Sequence, residues 1–238
     1  MRRSRLAVLC GFLGALGVFA AALGPALIHL VAIQPFTGFL VFASGLLFAL
    51  LALLVTPFAL YRTRASARRT GRGLAWLGFA CGALLLGGVV GTRLQGSDLP
   101  RINDIATDLA DPPAFASDPA GAGRDMSYPA GFAEQVKRGY PDLAPIRVSS
   151  DPARTLALAE ETARALGWEV ISVDAAAGTL LARDTSKIFR FVDDIVVRVR
   201  PAENGGAIVD VRSKSRVGQG DIGANAARIR RFAERLPR

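Results

Sequence analysis

Histidine and cysteine are nearly missing from this 238-residue chain: His29 is the one imidazole, and Cys10 and Cys81 are the two thiols. All three fall in apolar N-terminal stretches, so the part after Thr92 has neither residue. For that part the gap excludes Ser-His-Asp and Cys-His nucleophiles, thiolate or imidazole zinc sites and attached haem. It also excludes a disulfide, so stability there must come from an ordinary core, which a segment of about 145 residues is long enough to build. Carboxylates, lysines, tyrosines, a Ser-Lys pair or a hard cation on oxygen ligands stay open as chemistry. No cofactor or metal motif points to any of them.

Acidic residues are missing from the other end. All 20 lie after Thr92, whereas eight of the 29 basic residues precede it. The net charge of +9 therefore does not describe a nucleic-acid-binding domain, because the C-terminal part, with 21 basic and 20 acidic residues, carries only +1. From Leu6 to Tyr61 there are 56 uncharged residues, more than twice the ~20 that carry a helix across a hydrocarbon core. A break at Gln34, Pro35, Phe36, Thr37 and Gly38 divides the run into spans at about 6–31 and 38–60. A third, Gly-rich run predicts a span at about 74–91.

Arg2, Arg3, Arg5, Arg62, Arg64, Arg68, Arg69 and Arg72 fall on one side of that arrangement, and the loop between the first two spans is uncharged, which marks the arginine side as cytoplasmic. Three spans then put the C-terminal domain outside. The sequence predicts a protein integral to the bacterial inner membrane, with a cytoplasmic N-terminus and a periplasmic domain. A cleaved signal peptide fits less well, since the uncharged run is too long and no small-x-small site follows it. A lipoprotein start at Cys10 meets Leu9 where a small residue is needed. His29, near the outer end of the first span, reads as an interfacial packing or hydrogen-bonding residue rather than a proton relay.

Residues 93–147 hold seven prolines, too many for a long helix or a central strand. They also hold Ile102, Ile105, Leu109, Phe115, Tyr128, Phe132 and Tyr140, too much apolar surface for a floating linker. This predicts an extended belt lying against the domain, with a short helix at 132–138. Asp151 and Pro152 open a helix over 152–166 with Leu156, Ala159, Ala163 and Leu166 on one face, and Gly167 stops it. Strands are predicted at 146–149, 168–173 and 179–183.

In the following pair, alternation sets Phe189, Phe191, Ile195, Val197 and Val199 inward and Asp194, Arg198 and Arg200 outward; next, Val209 and Val211 point in while Asp210, Arg212, Lys214 and Arg216 point out. A turn over 201–207 joins the two. Setting Arg198 opposite Asp210 also sets Asp194 opposite Lys214, and these two opposite-charge pairs, worth roughly 0.2 to 1 kcal/mol each, fix the register. The same register puts Asp193 on the inner face across from Ser215. A last helix from Asp221 reads as buried along Ile222, Ala226, Ile229, Ala233 and Leu236, with Asn225 on that stripe and Arg228, Arg231 and Arg235 outward. The expected fold is membrane-anchored α+β: three transmembrane helices (1–92), the belt (93–147) and a two-layer domain (148–238) with an antiparallel sheet of about five strands and two covering helices.

Four ordered segments carry a resemblance: Pro100 to Asp108 (PRINDIATD), Asp193 to Val199 (DDIVVRV), Val211 to Gly218 (VRSKSRVG) and Asp221 to Arg230 (DIGANAARIR). Over about residues 100–236 the chain resembles the domain of unknown function family 1499, found in bacteria and plastids. The resemblance implies one module formed by belt and core together and brings no activity with it; the three-span anchor lies outside it.

The sharpest constellation is Asp193, Asp194, Arg198, Arg212, Ser213, Lys214, Ser215, Arg216 and Asn225, beside a glycine-rich turn at Gly218 and Gly220. One reading is an anion site made of basic side chains and a helix N-terminus, with Asp221 opposing it. The other, which ordinary sheet chemistry favours, is an ion-pair ladder on a solvated face, with a buried Asp193 bonded to Ser215 or Asn225. Asn103, Asp104, Thr107 and Asp108 form a second polar cluster, readable as a Ca2+ or Mg2+ site without an EF-hand loop, or as turn caps. Glycines in the first and third spans suit close helix packing. The expected function is a non-catalytic external module that binds an envelope protein or an anionic lipid headgroup. The alternative is an enzyme using Asp193, Asp194 or Asp104 as acid-base groups, with Arg212 and Arg216 holding an anion. Transport by the spans finds no support in intramembrane charges or internal repeats.

Overall fold

Pro35 occupies the first turn of a helix, where its missing N–H costs nothing. In a computed structural model describing residues 2–95, 99–203 and 205–238, the N-terminal elements are β1 (Arg2–Arg3), α1 (Arg5–His29), α2 (Pro35–Arg62), β2 (Arg69–Thr70) and α3 (Arg72–Gln95). The break between the first two spans thus falls just before Pro35, and α3 runs beyond the predicted end of the third. All three helices are long and apolar enough to cross a membrane. They meet through small residues: a Cβ at Gly14 would lie 2.7 Å from the Gly78 Cα, and one at Gly17 would lie 3.0 Å from the Gly45 carbonyl. The glycines of the first span therefore serve packing within the chain. Cys10 is buried at the junction, its Sγ 3.3 Å from the Thr56 hydroxyl and 3.5 Å from the Ala52 and Ala75 carbonyls.

The chain divides into two compact units, one holding these helices together with Lys187–Arg190 and the other the sheet with its helices. Residues 96–98, at the start of the predicted belt, lie outside the described residues, as does residue 204 in the predicted turn. In the second unit come β3 (Asp104–Ala106), α4 (Phe132–Gly139), β4 (Ile146–Val148), α5 (Pro152–Ala165), β5 (Glu169–Asp174), β6 (Thr179–Thr185), β7 (Val192–Pro201), β8 (Ala207–Ser215) and α6 (Ala224–Arg235). Asp151 caps α5 by accepting from the Arg154 N–H at 3.0 Å. The sheet is antiparallel in the order β3-β8-β7-β6-β5, with β4 also on β8.

The class is α+β as expected, and this sheet has six strands among the described residues. The additional strand, β3, comes from the belt and is too short to show an alternating pattern. The β7–β8 register is the one the charges predict: Arg198 faces Asp210, Asp194 faces Lys214 and Asp193 faces Ser215. Inward residues of β6, β7 and β8 (Leu180, Ile195, Val197, Val209 and Val211) form the core with Leu156, Ala159, Ile229 and Phe232 from the helices. Trp168 stacks on Phe232 with ring centroids 5.1 Å apart.

Three expectations need correction here. Phe189 and Phe191 precede β7 instead of extending it, since Arg190 takes a left-handed φ of 54°. The last helix begins at Ala224; Ile222 sits ahead of it at φ 53°, half exposed, and Phe232 belongs to the buried stripe. Arg228, expected to face outward, is buried.

Candidate functional site

The second face of the sheet, expected to be a solvated ladder, is packed under the belt. Arg212 on β8 is the centre of that packing, with 2% exposure. Its Nε and Nη2 donate to the two oxygens of Asp104 on β3 at 2.9 and 2.8 Å. The remaining N–H groups donate to the carbonyls of Pro113 (3.2 Å), Met126 (2.9 Å) and Ser127 (3.0 Å). The rings of Phe115 and Tyr128 lie 5.0 and 5.1 Å from the guanidinium carbon, a cation–π setting. Lys214 adds a 2.9 Å bond to Asp104. Burial, with the Asp104 charge adding to it, pushes the Tyr128 phenol well above its ordinary range.

Two further carboxylates on this face are fully buried and engaged by arginine. Asp194 accepts from Arg216 at 2.7 to 3.1 Å and from Arg124 of the belt at 2.6 Å. Arg124 also bonds to Asp118, which gathers the backbone N–H groups of Ala120, Ala122 and Arg124 at 3.0 Å each. The Arg124 guanidinium bonded to it, helped by those N–H groups, holds the Asp118 carboxyl well below the usual carboxylate range. Asp210 accepts through one oxygen from Arg198 (3.0 Å) and Arg200 (2.9 Å), while its other oxygen is buried without a partner among the described residues. Asp194 and Lys214 are opposite in register, as expected, yet each takes a different ionic partner.

The core face holds the rest of the predicted constellation. Asp193 accepts from Arg228 at 2.6 Å, and not from Ser215 or Asn225. Arg228 also reaches Asp184 (2.8 Å), Ser213 (3.1 Å) and Asn225 (2.6 Å). Asn225 joins Ser213 at 2.6 Å and Ser215 at 3.0 Å. Asp221 accepts from the N–H groups of Gly223 and Asn225 at 2.9 and 2.7 Å, so it caps the approach to α6; burial raises its carboxyl above the ordinary value. The nine residues of the sharper cluster therefore divide between two faces of one sheet. Asp193, Ser213, Ser215 and Asn225 face the helices, while Asp194, Arg198, Arg212, Lys214 and Arg216 face the belt.

The second polar cluster also divides. Asp104 goes to Arg212 and Lys214; Asn103 donates to the Gly218 carbonyl at 2.5 Å and accepts from the Ser215 N–H at 2.8 Å. Thr107 accepts from the Val211 N–H. Asp108 takes the Ala110 and Asp111 N–H groups on one oxygen and Arg198 and Arg200 on the other. Among the described residues, no three His, Cys, Asp or Glu side chains are placed to hold a metal ion. Asp108 caps its own turn by accepting the Ala110 and Asp111 N–H groups.

Sequence reasoning missed Arg124, Asp118, Phe115, Tyr128 and Arg228 as members of these networks. Arg228 had a signal, being three residues after Asn225 on the same helical face. Asp118 heads a Pro-Ala-Gly turn, where an aspartate is expected to collect N–H groups. A depression of about 160 Å3 between the 142–144 segment and α6 is lined by Leu143, Arg230 and Glu234 among others. It is smaller than usual ligand pockets and touches no member of the sharper cluster.

The family model described as "Protein of unknown function (DUF1499)" matches residues 104–236, the belt strand through the last helix. No curated protein matches the chain.

Proposed function

Since the chain belongs to the DUF1499 family of proteins of unknown function, we propose its role from its own geometry: a membrane-anchored protein whose sheet domain is a non-catalytic module that binds an envelope protein. The observation that carries this is the covered polar face. A general base must reach a substrate proton, whereas Asp104 and Asp194 have no exposure and are filled by guanidinium groups. Arg212 and Arg216, which the enzyme reading needs for an anion, are spent on those same carboxylates.

What stays open is an edge. β5 pairs only with β6 among the described residues, and its outer side chains are largely exposed, Ile171 at 42% and Val173 at 39%. An extended peptide adds to such an edge through main-chain bonds, which favours a protein partner over a lipid headgroup. The arginine bias and the three apolar helices support an inner-membrane location with the N-terminus in the cytoplasm and the domain in the periplasm.

A photo-crosslinker placed at Ile171 or Val173 in the full chain, in intact membranes, is expected to capture one recurrent protein. A crosslinker at exposed Arg154 is expected to capture none, and Val173→Lys to abolish capture. Turnover of an envelope substrate by the purified chain, lost on Asp193→Asn or Asp194→Asn, would overturn the reading in favour of the enzyme.

A further inference from the structure

Eight arginines converge on one end of the helical unit. α1 starts there at Arg5, α2 finishes there at Arg62 and α3 starts there at Arg72. β1 and β2 tie Arg2, Arg3 and Arg69 together: they pair in parallel with Arg2 opposite Arg69 and Arg3 opposite Thr70, and the Ser4 N–H donates to the Thr70 carbonyl at 2.9 Å. Gly71, at φ 114°, turns the chain into α3 where a Cβ would lie 3.1 Å from that of Ala7. The N-terminal arginines are thus held in register with the loop between α2 and α3.

Registered neighbours on paired strands stand about 5 Å apart, and like charges there repel. The helical unit itself supplies no carboxylate to relieve them, since residues 1–97 and 187–190 contain no acidic residue. Neither α1 nor α3 has an acidic residue in its first turn, where the helix dipole favours an anion. All eight arginines are exposed. Arg64 lies over the Tyr61 ring at 4.0 Å and donates to Ser66 at 2.9 Å. A ribbon that pins like charges together beside two helix starts is matched by an external anion, and the guanidinium fork fits phosphate.

We propose that the β1–β2 ribbon, with Arg5 and Arg72 at the helix starts, is a binding site for the phosphate headgroups of anionic phospholipids. A lipid is the source because the ribbon ends three apolar helices, the level at which headgroups stand. The site stands independently of what the sheet domain binds.

The full chain, purified in a neutral detergent, is titrated with phosphatidylglycerol or phosphatidylcholine, and retained lipid is read by native mass spectrometry. Phosphatidylglycerol is expected to be retained preferentially. Removing one arginine should weaken it roughly fivefold, and the triple variant Arg2→Gln, Arg3→Gln, Arg69→Gln on the order of a hundredfold. A matched triple in the sheet domain, Arg154→Gln, Arg231→Gln, Arg235→Gln, should leave retention unchanged. If the ribbon triple does not fold, Arg69→Gln alone carries the test. Equal retention of the two lipids, or no loss in the ribbon variants, overturns the proposal. Inorganic phosphate protecting the ribbon amides from hydrogen exchange as well as phosphatidylglycerol does overturns the lipid source.

Discussion

Arg212 satisfies Asp104, three belt carbonyls and two aromatic faces at once, so its loss exposes every one of them to a missing partner. Arg212→Met should destabilise the sheet domain by about 3 to 5 kcal/mol, the usual consequence of leaving a buried charge uncompensated. Denaturant unfolding of the full chain in detergent, followed by hydrogen exchange of β8, measures it. Arg228→Met should act similarly through Asp193, whereas Arg231→Ala should stay within about 0.5 kcal/mol. Asp221 contributes with the opposite pH slope from an ordinary ion pair. Burial holds its carboxyl above the unfolded value, so the native state keeps the proton longer and stability falls as pH rises from about 4 to the raised value. Asp221→Asn should flatten that slope, which unfolding curves taken across the acid range would reveal.

Among the elements, the belt is the one whose role the sequence only half disclosed. Its prolines excluded a long helix and its Phe115 and Tyr128 excluded a free linker, both legible from composition. Which face it covers was not, because the deciding contact joins Asp104 to an arginine 108 positions later, and hydrophobic periodicity carries no information about such a pair. The same blindness placed Arg228 outward, since its carboxylate partner waits on a strand 35 residues away. The helix α5, the strand pair β7–β8 and its register were legible because caps, alternation and charge all agreed locally.

The hold of the belt also has a pH signature. Asp118 lies below the ordinary carboxylate value, so its stabilising effect is complete above about pH 4 and disappears only as pH falls through its depressed native value. Amide exchange across 113–128 should therefore stay slow from neutral pH down to about 4 and quicken only in stronger acid. Asp118→Asn should quicken it above about pH 4, and the difference from the native chain should vanish in strong acid.

For the whole molecule, the proposed topology rests on the arginines at one end of the helical unit and on three apolar helices among the described residues. A reporter fused after Arg238 should be active on the periplasmic side only, as an enzymatic phosphatase and not as a cytosolic fluorophore. The three apolar helices were legible in the sequence from uncharged length alone, whereas the parallel ribbon of β1 and β2 was not, because two-residue strands leave no pattern.

The long reach from Asp104 to Arg212 also sets a timetable. Asp104 is synthesised 108 residues before its partner, which arrives only with the last strand, so the belt has nothing to close upon until then. Chains cut short before Arg212 should remain unclasped, open to proteolysis and readily cleared as unfinished products, whereas loss of the final residues after Leu236 should leave the clasp able to form.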